Sequence, residues 1–305
     1  MNTDHTIKDS ISGGWVEHMP APLRPYLRLS RYDRPIGFWL LALPGWIGLA
    51  FAALSHGYDK SDIKWAILIG IGAIAMRGAG CTYNDIIDRD LDKMVERTAL
   101  RPLAAGTITV KSAWVWLVLQ CLVGLVVLAF FPRLSQIIAV SALTLVAAYP
   151  FMKRITFWPQ AWLGLTFNWA VLVAYSAKTG QVTPSLLLLY FGLVFWTIGY
   201  DTIYACQDIE DDAMIGVKST ARLFGKKTKQ YMLAIYVLSV SLIAIAVCLS
   251  SQPYYIVSAI PFAGHLLWQI FRLNSKDGKA CLELFKSNKI AALALITGFM
   301  LAKLL

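Results

Sequence analysis

Asn84, Asp88 and Asp92 stand four residues apart in the run Asn84-Asp85-Ile86-Ile87-Asp88-Arg89-Asp90-Leu91-Asp92. On a helix this spacing lays three oxygen-bearing side chains along one face, over roughly 12 Å at about 1.5 Å per residue. Asp201, Tyr204, Asp208 and Asp212 make a second such stripe. Nine of the 18 acidic residues fall in two short windows, Asp85–Glu96 and Asp208–Asp212. Like charges at helical spacing repel unless something neutralises them. Carboxylates and an amide oxygen, without nearby His or Cys, suit a hard cation. Mg2+ leads, because it takes few carboxylates and fills its octahedron with water and phosphate oxygens. Two facing stripes could hold two such ions and clamp a diphosphate between them. Arg89, Arg97, Arg101, Lys218 and Arg222 are near enough in sequence to take the remaining phosphate oxygens. Arg101 and Lys218 are the better placed of these.

The elements that must position these stripes are membrane helices. The chain has 305 residues, of which 57% are hydrophobic and only 15% charged, with a mean hydropathy of +0.58. A soluble domain would be nearer a quarter charged. Nine apolar segments long enough to cross roughly 30 Å of hydrocarbon are expected, near 36–56, 64–84, 112–131, 135–151, 158–177, 184–206, 230–250, 253–272 and 288–304. Lys and Arg divide 22 to 5 between the two sides, and Arg77 lies inside a span. That asymmetry puts the N-terminus and both acidic windows on the cytoplasmic side and the C-terminus on the far side. The net charge of +10 therefore marks topology rather than a nucleic-acid partner. Residues 1–25 read as a polar tail. Residues 26–305 read as one domain, with cytoplasmic cap segments near 85–111 and 207–229. The five cysteines form no CxxC pair, so no disulfide or zinc framework is expected. The first residues lack the apolar core of a signal peptide, and Asp4, Asp9 and Glu17 argue against a transit peptide.

No catalytic triad, phosphate-binding glycine loop or dinucleotide fingerprint is present. A divalent-cation transporter would place its acids near the bilayer midplane, whereas these concentrate at one face. Asp201 lies within a span, where an ionisable residue is costly and usually functional.

The run NDIIDRDLD resembles the NDxxDxxxD motif of UbiA-type intramembrane aromatic prenyltransferases. YDTIYACQDIEDD, continuing into AMIGVKSTARLFG, resembles their second acidic region with its KST segment. Arg31–Gly37, Met76–Cys81, Arg97-Thr98 with Arg101-Pro102-Leu103, and Tyr149-Pro150 with Lys153-Arg154 also fit, so the likeness covers roughly residues 25 to 300. Glu96 departs from the Lys that often precedes Arg97-Thr98 in that pattern. The wider set is most similar to the 4-hydroxybenzoate polyprenyltransferases of ubiquinone synthesis, and with no transit peptide expected the resemblance implies a bacterial inner-membrane member. The resemblance implies an all-α bundle of nine transmembrane helices around a lipid-connected cavity. It implies that Asn84, Asp88, Asp92, Asp208 and Asp212 bind Mg2+ and diphosphate, with Asp85, Asp211 and Tyr204 behind them. The substrates would be a polyprenyl diphosphate and 4-hydroxybenzoate; homogentisate, a dihydroxynaphthoate or a porphyrin are alternative acceptors. Arg77, Arg154, Lys153 and Arg34, in falling order, are candidates for the acceptor's carboxylate. Asp201, water or diphosphate could take the ring proton.

Overall fold

A computed structural model describes residues 14–303 except Val95 and Ile215, together with the backbone but not the side chains of Glu96, Arg97, Asp208, Glu210, Asp211 and Asp212. The described residues are helical and include no strand. In chain order the helices are α1 (Arg24–Leu29), α2 (Ile36–His56), α3 (Ser61–Asp92), α4 (Glu96–Ala99), α5 (Val110–Ala129), α6 (Arg133–Ile155) and α7 (Pro159–Phe167). They continue with α8 (Trp169–Thr179), α9 (Pro184–Ala205), α10 (Ile209–Met214), α11 (Thr220–Phe224), α12 (Thr228–Ser250), α13 (Ile260–Arg272) and α14 (Gly278–Ala302). The chain forms two compact units, Met1–Trp39 with Gly70–Phe130, and Leu40–Ile69 with Phe131–Leu305.

Seven of the described helical runs are long and apolar enough to cross a membrane: α2, α3, α5, α6, α9, α14 and the stretch Thr220–Ser250 that contains α12. The expected spans 158–177 and 253–272 are broken, so nine continuous helices are not found among the described residues. At the first break Asn168 separates α7 from α8. Its Nδ2 reaches Gly164 O at 2.8 Å, Leu193 O at 3.2 Å and Thr197 Oγ1 at 2.7 Å. At the second, the 3-10 segment Pro253–Ala259 precedes α13, which carries Pro261 at its start. A proline there removes a backbone donor and favours a helix start over continuation.

In the first unit Leu29, Leu103, Ile108 and Ala113 form an apolar core flanked by Tyr26, Ile86, Val110 and Trp116. A polar knot lies beside it. Trp116 Nε1 and Gln120 Nε2 each donate to Ser30 Oγ at 2.8 Å, and Thr82 Oγ1 donates to Gln120 Oε1 at 3.3 Å. Hydroxyls and amides buried in an apolar setting must pair with one another, and this knot fixes α1 to α3 and α5.

In the second unit α9 is buried along most of its length. Gly192 lets α12 approach so closely that a Cβ there would lie 2.7 Å from Ile243 Cγ1, and Ser239 Oγ donates to Gly192 O at 2.7 Å. Small residues with a bridging hydroxyl are how membrane helices pack without a hydrophobic driving force. Trp196 Nε1 ties α9 to α14 through Asn288 Oδ1 at 2.8 Å. Lys178, 3% exposed, ends α8 and pairs with Asp62 at 2.5 Å and Asp59 at 3.2 Å. The hydroxyl and amide of Ser61, ahead of Lys178, hold the Asp59 carboxyl down at about 2.

Candidate active site

Helix α3 has 32 residues, about 48 Å of rise against a hydrocarbon thickness of about 30 Å. One unbroken helix thus carries the acidic stripe beyond the apolar zone. The first of its buried acids is Asp85, 1% exposed; Asp88 and Asp92 are 0% and 6% exposed, and Asn84 is half-buried. Asp85 therefore shares the shielded face with Asp88 and Asp92. Two arginines from outside the helix hold it there. Arg31 Nη2 donates to Asp85 Oδ1 at 2.7 Å. Arg101 Nη1 lies 2.8 Å and 3.0 Å from the two oxygens of Asp92 and 3.2 Å from Asp85 Oδ1. Burial is the largest single influence on the Arg31 pKa and pulls it down, but the Asp85 carboxylate and the other neighbours together outweigh it, and the net shift is upward.

The segment after α3 folds so as to present Arg101. Thr98 Oγ1 donates to Asp92 O at 2.8 Å, fastening α4 to the end of α3. Arg101 N donates to Thr98 O and Ala105 N to Arg101 O, while Leu103 plugs the apolar core. Thr109 then caps α5 by accepting from Ser112 N. Arg89 faces the other way: its Nε donates to the exposed Asp90 at 3.2 Å, so it is not gathered with the buried acids.

Arg77 lies seven residues before Asn84 on the same helix. Its guanidinium crosses α2 at Gly37, where a Cβ would sit 2.5 Å from Arg77 Nε. Arg34, mostly buried, pairs with Asp33 through Nε at 3.2 Å.

In the second unit Asp201 and Tyr204 occupy the last turns of α9, both half-buried, with the Tyr204 ring 4.7 Å from Phe285. The helix then tightens into the 3-10 turn Cys206–Asp208 before α10. The side chains of Arg97, Asp208, Asp211 and Asp212 lie outside the described residues. The KST segment is firmly seated. Thr220 Oγ1 shares a 2.6 Å hydrogen bond with Thr202 Oγ1 on α9, and Thr220 N donates to Gln160 Oε1 at 3.1 Å. Lys218 N donates to Lys153 O at 2.9 Å, and Lys218 Nζ reaches Ile155 O at 3.1 Å. Lys153 and Arg154 end α6, Arg154 exposed. Arg222 donates to Val217 O. Thr202, Gln160 and Arg31 were not singled out from the sequence individually. Gln160 and Thr202 carried a signal nonetheless, as polar groups inside apolar segments that must find partners.

The donor set fits a hard cation in chemistry: it is all oxygen, and the buried Asp85 Oδ2 has no hydrogen-bond partner among the described residues. No three His, Cys, Asp or Glu side chains among the described residues converge on one ion. An ion on α3 would therefore need further oxygens from elsewhere, as Mg2+ ordinarily takes from water and phosphate.

The sequence profile of the UbiA prenyltransferase family matches residues 39–296. The mitochondrial 4-hydroxybenzoate polyprenyltransferase of Rattus norvegicus is 47% identical over 292 residues, covering 95% of this chain and 77% of that protein. Its Arabidopsis thaliana counterpart is 41% identical, covering 95% and 71%. Among solved structures, an apo UbiA homolog from Aeropyrum pernix K1 matches with a TM-score of 0.70 at 25% identity, over 86% of this chain and 97% of that one. A UbiA homolog from Archaeoglobus fulgidus bound to DMAPP and Mg2+ shares the fold, with a TM-score of 0.70 at 19% identity over 92% and 99%. The expectation of a bacterial inner membrane, with cytoplasmic N-terminus and periplasmic C-terminus, is overturned by the relatives. The similar enzymes of rat, mouse, cattle, Arabidopsis and human are mitochondrial. Charge asymmetry orients helices toward one basic side and says nothing of which membrane holds them. The chain belongs to the UbiA prenyltransferase family.

Proposed function

We propose that the protein transfers a polyprenyl group from an allylic polyprenyl diphosphate to 4-hydroxybenzoate, at the ring carbon ortho to the hydroxyl, releasing diphosphate. The observation that carries this reading is the 41–47% identity to 4-hydroxybenzoate polyprenyltransferases along 95% of the chain. The residues are suited to it. The allylic C–O bond breaks with its electron pair leaving on diphosphate, the ring carbon bonds to the allyl cation, and loss of the ring proton restores aromaticity.

Asn84, Asp88 and Asp92 on α3, with Asp208 and Asp212 after α9, would hold Mg2+, in our reading two ions. When bound, the cation neutralises charge developing on the leaving diphosphate. The shared fold of the Archaeoglobus fulgidus protein, which binds DMAPP and Mg2+, supports this choice of metal. Arg101, Lys218 and Arg222 would meet phosphate oxygens, with Arg97 and the outward-facing Arg89 as weaker candidates. Asp85, Asp211 and Tyr204 would support the ligands. Arg77 is the first candidate for the acceptor carboxylate because Gly37 gives its guanidinium room across α2; Arg154, Lys153 and Arg34 follow. Asp201, water or the departing diphosphate would take the ring proton. Nine membrane crossings are proposed, two of them made of the broken pairs at Asn168 and Pro253–Ala259, around an apolar tunnel for the prenyl tail.

The test is an acceptor panel. Membranes containing the protein receive Mg2+, an allylic polyprenyl diphosphate and either 4-hydroxybenzoate, homogentisate or a dihydroxynaphthoate. Prenylated 4-hydroxybenzoate is expected. Its absence while another acceptor reacts would overturn the substrate assignment.

A further inference from the structure

We propose that Arg31 is a positioning residue for the diphosphate end of the reaction, fixing Asp85 and through it the Asp92–Arg101 pair. The inference rests on the transferase reading above and assigns a task to a residue which that reading leaves without one.

Three observations converge on Arg31. Its backbone is the first. Among the described residues it is the one non-glycine with a positive φ, 59°. A residue with a Cβ persists in the left-handed region only where its surroundings over-determine it. The neighbours do so here: Ser30 N donates to Tyr26 O, Arg31 N to Arg28 O and Tyr32 N to Leu27 O. Ser30, fully buried, is gripped by Trp116 and Gln120, and Trp15 Nε1 holds Tyr32 O at 3.2 Å.

The second observation is the fork of the guanidinium. Nη1 meets the last carbonyls of α1, Arg28 O at 3.2 Å and Leu29 O at 3.4 Å, while Nη2 meets Asp85 Oδ1 at 2.7 Å. One arm is thus anchored in backbone and the other is aimed at a carboxylate. A lysine has a single point charge and cannot hold both ends at once. The side chain is only 10% exposed, so the pair is shielded from solvent.

The third is what the fork leaves over. Asp85 Oδ1 accepts from both Arg31 and Arg101, while Oδ2 is buried and has no hydrogen-bond partner among the described residues. A buried carboxylate oxygen of this kind calls for a donor or a cation. With Oδ1 clamped, Oδ2 has one orientation, toward whatever donor a bound cation or its water brings. Arg101 is held at the same time, since it bridges Asp85 and Asp92. A side chain that fixes both a ligand stripe and a phosphate-binding arginine should tune the cation and the diphosphate but leave the aromatic acceptor alone.

The experiment compares wild type with Arg31→Gly, Arg31→Lys and the pair Arg31→Gln with Asp85→Asn. Glycine relieves the backbone conformation while removing the fork, and the double variant removes both charges together so that no buried carboxylate is stranded. Two readouts are taken on the full-length protein in detergent or liposomes. One is the melting temperature with and without Mg2+ and inorganic pyrophosphate. The other is the Mg2+ concentration for half-maximal rate, with separate KM values for polyprenyl diphosphate and 4-hydroxybenzoate. The expected result is a tenfold or greater rise in the Mg2+ and diphosphate values and an unchanged KM for 4-hydroxybenzoate. Stabilisation by Mg2+ and pyrophosphate should shrink in all three variants, with lysine giving no full rescue. Wild-type Mg2+ and pyrophosphate responses in Arg31→Gly and in the double variant would overturn the proposal. So would equal losses toward both substrates with a lowered melting temperature of the unliganded protein, the mark of a purely structural role. A wild-type protein that fails to prenylate 4-hydroxybenzoate would refute the substrate assignment instead, and the pyrophosphate melting shift would still decide the role of Arg31.

Discussion

Replacing Gly37 with alanine puts the proposed role of Arg77 to a quantitative test. A Cβ at position 37 would lie 2.5 Å from Arg77 Nε, 3.0 Å from Nη2 and 3.1 Å from Cζ. Ordinary carbon contacts begin near 3.5 Å, so the guanidinium must retreat by roughly 1 Å. It is the end of a flexible side chain, so α2 itself has no reason to move. Alanine for glycine inside a helix is favourable by about 0.5–1 kcal/mol, which should leave the melting temperature unchanged or slightly raised. A hydrogen bond to a charged group contributes about 1.5–3 kcal/mol, so losing the grip on the acceptor carboxylate should raise its KM by roughly 10- to 150-fold. Initial rates in membranes, with 4-hydroxybenzoate varied at saturating diphosphate and then the reverse, separate the two substrates. An unchanged acceptor KM would refute the assignment of Arg77. A rise in the diphosphate KM alone would place its guanidinium at the other substrate.

Arg101→Gln should destabilise the protein by about 1.5–3 kcal/mol, because it removes the guanidinium that bridges the buried carboxylates of Asp85 and Asp92; denaturation in mild detergent measures this. Adding Asp92→Asn should recover much of that stability but no transfer activity, whereas recovery of activity would count against Asp92 as a ligand. Excess EDTA should abolish turnover and added Mg2+ should restore it, as read by initial rate; a full rate in EDTA would remove the cation from the account.

The acidic run on α3 could be read in the sequence because its chemistry is local: carboxylates at helical spacing announce one face of a helix, whereas the expected single helical stripe from Asp201 to Asp212 is interrupted by the 3-10 turn at Cys206–Asp208. The seven continuous spans were equally legible from hydropathy. The break at Asn168 was not, because a single amide in an apolar run looks like any other polar intrusion until Thr197 and Leu193 are seen to receive it. Asp85 was set behind Asp88 and Asp92 by the four-residue spacing, yet burial puts all three on the shielded face. Arg89 lies inside the acidic run and Arg101 nine residues beyond Asp92, yet helix phase sends Arg89 to Asp90 while Arg101 returns to Asp92. The pairing of Arg31 with Asp85 spans 54 positions of chain and depends on a left-handed arginine, for which sequence offers no sign.

The most direct measurement is the product itself. Protein in liposomes, supplied with Mg2+, an allylic polyprenyl diphosphate and 4-hydroxybenzoate, is assayed by mass spectrometry and NMR alongside an Asp88→Asn variant inserted at the same level. The account predicts a single product carrying the prenyl chain ortho to the hydroxyl in the wild type and none from the variant. Prenylation at the hydroxyl oxygen, or near-normal turnover by Asp88→Asn, would contradict it.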